Sequence, residues 1–292
     1  MSQSLVKGYL LALLGVFILS PDAVLVRLVG DDPLLISAWR GIIGGSMVLL
    51  YNQFIDRRNL LKQLKPIGLW VIAAVIFNGM SQVGFVYGIS HAKASDVLVI
   101  IAFAPLVSAF LSAIFLSEKI KTRTWIATLT CGIGLAILFS QSNSQWLGLV
   151  AAVICAMTLA AQFVVMRAFP SENLTGCVGL GNIASGVVCA FIVSDLSMSA
   201  SAWPPLLLMA LVVSPVSFML FVLSLRYISA AETSLIILLE SILGSLWVWV
   251  VLSEQPSLKT ILAGTLVIST LIVYSWLSLK ENKTPNSKVD HL

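Results

Sequence analysis

The chain of 292 residues is 59% hydrophobic and only 10% charged, far below the roughly 25% charged content of soluble globular proteins. Apolar runs of about 18 residues or more recur along its whole length, each long enough to cross a hydrocarbon core of about 30 Å as a helix, which excludes a soluble fold. The net charge of +4 comes from basic residues in short loops between these runs, so it is no nucleic-acid footprint.

Helices are predicted in chain order at approximately 8–29, 33–55, 66–89, 94–117, 123–140, 146–168, 174–194, 204–226, 230–252 and 258–279. The first could pass for a signal peptide, with Lys7 ahead of an apolar stretch, but Gly8 to Arg27 recurs later in the chain and is kept as a span. Midway along it stands Ser20-Pro21-Asp22. Proline removes a backbone donor and kinks or breaks a helix. The same triplet reads as a helix start, with a Ser cap, Pro at the first position and a carboxylate in the first turn. It is either a broken helix lining a cavity, which makes Asp22 a coupling or gating carboxylate, or a simple proline kink with Asp22 near the outer surface.

The second span carries Arg40, an intramembrane cation that cannot readily discard its proton and needs a carboxylate or a substrate as partner. Asp22 is the partner favoured by position, Glu240 the alternative. Trp39, beside it, is a mid-span aromatic suited to walling a pocket. Gly41 and Gly45 form a GxxxG pair, with Gly181 and Ser185 as its counterpart, both fit for close helix packing.

In the third span Asn78, Ser81, Gln82 and Phe85 make a polar-aromatic stripe at helical spacing, which either glues helices or lines a path. Cys131, Cys155, Cys177 and Cys189 fall inside apolar segments with no CxxC and no nearby His, so neither a metal site nor a disulfide framework is indicated. In the sixth span Gln162 is the repeat counterpart of Asp22 and is expected to face it. Near the centre of the ninth span stands Glu240, where a charge costs about 2.5–3.5 kcal/mol on insertion scales. It should face the interior, either as a proton-sensing group or as a structural carboxylate. Trp247, seven residues further on in that span, is a second pocket-wall candidate. Tyr9, Tyr51, Trp125, Trp146, Trp203, Tyr274 and Trp276 lie near span ends and read as interfacial anchors.

Lys and Arg counts in the loops orient the chain with both termini cytoplasmic. Leu116-Ser117-Glu118 and Leu252-Ser253-Glu254 are the same tripeptide 136 residues apart, each closing an apolar run. Ala94-Ser95-Asp96 falls on Ala230-Ala231-Glu232 at the same offset. Gly8 and Arg27 align with Gly148 and Arg167 at an offset of 140. The chain is therefore a duplicated unit. Each copy has five spans, an odd number, so the second enters the membrane upside down. The expected architecture is an all-α polytopic membrane protein of about ten transmembrane helices in a 5+5 inverted repeat: residues 1–143, residues 144–280 and a polar tail, 281–292. Inverted repeats are the signature of secondary transporters, with the site near the midplane between the copies. Glu118 and Glu254 lie at helix ends near basic residues and read as scaffold anchors.

In these residues the chain resembles the EamA-like branch of the drug/metabolite transporter superfamily over nearly its whole length. The resemblance rests on Arg40, on Phe103-Ala104-Pro105-Leu106 followed by Glu118, and on Ala230-Ala231-Glu232 and Leu238-Leu239-Glu240 followed by Glu254. Where such proteins usually carry Pro after the ninth-span Glu, this chain has Ser241, so a kink is expected at Pro105 and not at its counterpart. The resemblance implies transport, often efflux, of amino acids or other small metabolites across a bacterial inner membrane. The expected pathway residues are Asp22, Arg40, Glu240, Trp39, Asn78, Gln82, Gln162 and Trp247. The expected partners are a small-molecule substrate, the lipid bilayer and protons, with no nucleic acid and no cofactor, in a monomer or homodimer. A lipid or isoprenoid translocase on the same scaffold is the competing reading. An enzyme is not supported: HExxH, paired His and nucleotide-binding Gly loops are all missing from the sequence.

Overall fold

The computed structural model describes residues 3–55, 60–115, 122–139, 146–169, 172, 174–224, 227–228, 236–237 and 239–283, and every regular element among them is helical. Seven helices are long and apolar enough to cross a bilayer: Val6–Val29, Pro33–Phe54, Trp70–His91, Ala94–Phe115, Trp146–Val165, Thr175–Ile192 and Trp203–Phe221. Three shorter apolar helices, Trp125–Gly134, Leu239–Leu252 and Leu258–Tyr274, fill the remaining predicted positions. The protein is thus a polytopic helical membrane protein, and the helices are called here the first to tenth spans in chain order. The Leu116-Ser117-Glu118 and Ala230-Ala231-Glu232 segments fall outside the described residues, as does the start of the ninth span.

Three spans are interrupted, each where proline removes a donor. The first divides into Gln3–Leu19 and Asp22–Val29. Pro21 cannot donate to the Phe17 carbonyl four residues back, and the Ser20 hydroxyl takes over, donating to Phe17 O at 2.8 Å. The carbonyl that proline orphans is thereby satisfied locally. The fourth span divides into Ala94–Ile101 and Ala104–Phe115, with the kink expected just ahead of Pro105. Its counterpart Ser241 lies inside the unbroken helix Leu239–Leu252 and donates instead to the Leu98 carbonyl of the fourth span, at 3.2 Å.

The eighth span carries a feature that its sequence did not announce. Trp203–Leu207 runs into a π-helical stretch, Leu208–Val213, before Ser214–Ser224. Pro215 has no N–H for the Leu211 carbonyl, and Ser214 N–H reaches back five residues to Met209 O. Widening the turn relieves the clash that a proline ring would otherwise make.

The third span also departs from its predicted limits. It begins at Trp70, because Gly68 adopts φ +61 and ends a short surface segment made of Leu60–Leu64 and the 3-10 turn Lys65–Ile67. That segment is tied to the second span by Asn52, which donates to Gln63 Oε1 at 2.7 Å.

Packing follows the duplication. The second span lies on its repeat equivalent, the seventh; the fourth touches the ninth and the fifth packs on the tenth. The third packs on the sixth and the first on the eighth, a pair of contacts that exchange when the copies are interchanged. The closest approach is between the second and seventh spans. A Cβ at Gly41 would stand 2.5 Å from the Asn182 carbonyl, and one at Gly45 would stand 2.6 Å from that of Gly179. Only glycine lets the backbones meet so closely. Gly181 and Ser185 do not mirror that contact: they face the third span, at Asn78 and Gly79.

The outer rim is apolar, as lipid requires, with Phe191, Leu69 and Phe54 among its most exposed side chains. Trp125, Trp146 and Trp276 are about half exposed near helix ends, matching interfacial anchors. Trp203 and Tyr274 instead pack against the buried core. That core gathers around the segment Asp22–Val29 of the first span and the segment Ala94–Ile101 of the fourth.

Candidate functional site

The break in the first span turns Asp22 inward, where it is 3% exposed. Its Oδ2 lies 2.7 Å from Arg40 Nη2 of the second span, an ion pair between side chains that are 4% and 12% exposed. The same Nη2 lies 3.3 Å from Ser214 Oγ, just after the π-helical stretch. The guanidinium also sits 5.3 Å over the Phe85 ring of the third span, a cation–π contact. Four spans therefore converge on one cation. Yet the pair is unsaturated: among the described residues, Asp22 Oδ1 and Arg40 Nη1 are buried with no hydrogen-bond partner, as are Ser37 Oγ, one turn before Arg40, and Ser217 Oγ, one turn after Ser214. Orphaned buried polar atoms at this density carry a desolvation cost that a bound polar molecule would remove.

Glu240, in the first turn of Leu239–Leu252, lies within electrostatic range of both Asp22 and Arg40. Among the described residues it has no hydrogen-bond or ion-pair partner. With Arg40 paired to Asp22, Glu240 is the second carboxylate facing a single cation. An unpaired carboxylate at membrane depth must be protonated or neutralised by a cation.

Trp247 is held against the break. Its Nε1–H donates to Ser20 Oγ at 2.9 Å, and its ring meets Phe17 edge-on, with centroids 6.5 Å apart. The Ser20 hydroxyl accepts from the ninth span while donating along the first, so one rotor links the interruption to the helix that carries Glu240.

The remaining predicted residues separate from this cluster. Trp39 donates Nε1–H to Leu196 O at 3.1 Å and stacks edge-on with Trp203, at 5.1 Å. It fastens the 7–8 connection side of the bundle instead of walling the centre. Gln162 does not face Asp22; it donates to Asn78 Oδ1 at 3.1 Å. Asn78 donates in turn to Asn182 Oδ1 at 2.7 Å and Val178 O at 3.0 Å. Gln82 accepts from Ser185 Oγ at 3.0 Å and donates to Ser37 O at 3.4 Å. The stripe of the third span is thus spent on hydrogen bonds to the sixth, seventh and second spans. In lipid such bonds hold helices together. Of the stripe, Phe85 touches the site through its ring beneath Arg40, and Gln82 through the Ser37 backbone.

A second polar cluster lies five residues beyond Asp22, at the connection between the third and fourth spans. Arg27 Nη2 donates to Ala92 O at 2.7 Å and approaches Glu254 Oε2 at 3.5 Å. Ala94 N–H donates to Glu254 Oε1 at 3.2 Å. A cleft of about 300 Å³ lined by Arg27, Ser90, His91, Ala92, Lys93 and Glu254 opens there. Glu254 was expected to be an anchor; the sequence placed it near Lys259, whereas the structure pairs it with Arg27.

Comparison with known proteins agrees with this architecture. The model of the EamA-like transporter family matches twice, over residues 6–140 and 146–276. An S-adenosylmethionine uptake transporter of Rickettsia felis is 24% identical over 235 residues, covering 79% of each chain. A protein of that name from Rickettsia bellii is 25% identical over 258 residues, covering 84% of this chain and 83% of the other. An uncharacterized transporter of Archaeoglobus fulgidus is 18% identical over 251 residues, covering 86% and 90%. One solved crystal structure superposes with a TM-score of 0.65 at 17% identity, covering 94% of this chain and 98% of that one, a likeness of fold. These relatives are named as transporters, not enzymes, and with matches along almost its entire length the chain belongs to the EamA-like transporter family.

Proposed function

We propose that the protein is a secondary transporter that moves a small organic metabolite across the inner membrane by alternating access, with both termini in the cytoplasm. The observation that carries this reading is the unpaired carboxylate of Glu240 beside the Asp22–Arg40 pair. The three residues come from both five-helix copies, and inverted-repeat carriers bind substrate between their copies, which supports the reading. Glu240 receives the positive centre of a substrate or a proton, and the unpartnered Arg40 Nη1 and serine hydroxyls receive its polar or anionic part. Proton coupling follows if the two occupants of Glu240 exclude each other.

S-adenosylmethionine is the first solute to test, because four relatives at 23–25% identity are named as its uptake transporters and because it combines fixed positive charge with a carboxylate. The family resemblance implies efflux, whereas those relatives' names say uptake. A carrier without ATP coupling runs along whichever gradient dominates, so direction belongs to the assay and not to the fold.

In proteoliposomes, labelled S-adenosylmethionine or an amino acid should accumulate under an imposed gradient, and an imposed pH gradient should alter the rate. Glu240→Gln should transport at least tenfold more slowly. If that variant keeps the parental rate and pH dependence, Glu240 has no coupling role. Lipid scrambling without solute movement would favour the translocase reading.

A further inference from the structure

We infer that Arg27 and Glu254 form the gate that seals the transport passage on the face opposite the termini, closed in this structure. The inference rests on the alternating-access reading but concerns a different set of residues from the central site.

The two residues come from different copies of the repeat, Arg27 from the last turn of Asp22–Val29 and Glu254 from the turn after Leu239–Leu252. Between them they hold the junction of the third and fourth spans. Arg27 donates to the Ala92 carbonyl, which ends the third span, and Glu254 accepts from the Ala94 N–H, which begins the fourth. Each charge therefore meets the helix end that favours it, the cation at a carboxyl end and the carboxylate at an amino end. Their mutual approach of 3.5 Å completes a closed strap over three chain segments. Arg27 follows Asp22 by five residues on one helix, a rise of about 7.5 Å, so the strap lies about one and a half turns further along the first span than the central pair.

Two observations set this contact apart from ordinary surface pairing. Ser253 adopts φ +56, the only positive φ at a non-glycine position among the described residues, and that left-handed turn delivers Glu254. Such strain persists where the surroundings over-determine it, as at switch regions. Arg27 Nε is buried without a partner among the described residues, so the guanidinium is held by only part of its donor set. Side chains 29% and 22% exposed place the pair at a rim that solvent reaches, where separation is cheap enough for a cycle. The residue types recur in the sequence: Arg27 aligns with Arg167, and Glu254 with Glu118, both of whose side chains lie outside the described residues.

The test needs no substrate. In a cysteine-free background, Leu28→Cys and Leu258→Cys, both exposed near the strap, carry spin labels for distance measurement in proteoliposomes. The parent should give one dominant short distance. Arg27→Gln and Glu254→Gln should raise the longer-distance population about three- to tenfold, the range set by breaking a partly exposed ion pair together with a helix-end bond. Should the glutamine variants fail to fold, Arg27→Lys gives the same readout with a smaller rise. An unchanged distribution overturns the gate, as does a lowered melting temperature with no change in distance, and so does a parent that already shows the variants' distribution. Because the distances are read without transport, failure of every transport assay alongside the expected distance shift would sink the proposed function and leave the gate standing.

Discussion

Replacing Asp22 by asparagine isolates the charge of the central pair while keeping its shape. Asp22 Oδ2 and Arg40 Nη2 are 2.7 Å apart and the side chains are almost fully buried. Removing one partner of a buried pair usually costs about 3–5 kcal/mol, because the other charge is left uncompensated. Here the asparagine oxygen still accepts from Nη2, and Ser214 and Phe85 still face the guanidinium, which offsets roughly 1–2 kcal/mol. The expected loss is therefore about 2–3 kcal/mol for Asp22→Asn and about 3–5 kcal/mol for Asp22→Ala. The double variant Asp22→Ala/Arg40→Met removes both charges and should be more stable than Asp22→Ala alone, since the burial penalty disappears with the charge. Denaturant titration in mixed micelles gives the ordering, and transport in proteoliposomes gives the functional loss, expected to be complete in all three. If the double variant is no more stable than Asp22→Ala, Arg40 is not held as a charge by Asp22 and the central reading is wrong.

Two further outcomes follow from packing and hydrogen bonds. Gly41→Ala should lower stability by more than about 2 kcal/mol by the overpacking mechanism, since its Cβ would stand 2.5 Å from a carbonyl oxygen, whereas Gly44→Ala, whose nearest neighbour is at 3.4 Å, should be nearly neutral. Equal melting temperatures for the two would refute the close-contact account. Trp247→Phe should cost about 1 kcal/mol by losing one donor, and Ser20→Ala about 1–3 kcal/mol by orphaning both Trp247 Nε1 and the Phe17 carbonyl; a double variant that costs the full sum of the two would show that the hydroxyl does not link them.

The duplicated tripeptide, the charge-poor spans and the odd number of spans in each copy made the helix count and the inverted architecture legible, because span length and repeat offset are properties of the sequence. Asp22 and Arg40 could be matched because both are intramembrane charges at similar depth, and burial leaves a charge few partners. Gln162 misled for a reason equally physical: repeat symmetry relates positions, but a side chain bonds to whichever partner its rotamer reaches, and Asn78 lay nearer. Trp39 looked mid-span by counting, yet the 193–202 connection folds back and gives it Leu196 to bond. The π-helical stretch ahead of Pro215 had a signal in the Ser-Pro step, but whether a helix answers proline by kinking, breaking or widening depends on neighbours that the sequence does not name. Arg27 and Glu254 sat in the repeat from the beginning, but only the fold brings two ends so far apart in the chain to one junction.

The glycine contact between the second and seventh spans has a mechanical meaning. Where backbone meets backbone, as at Gly41 and Asn182, few side-chain rotamers intervene, so the two helices turn about their contact more readily than they shear along it. On the proposed alternating-access cycle, motion falls to the periphery. The second and seventh spans would then serve as the axle, with Arg40 riding on it, and the first and ninth spans, which bring Asp22 and Glu240, would be the parts that swing.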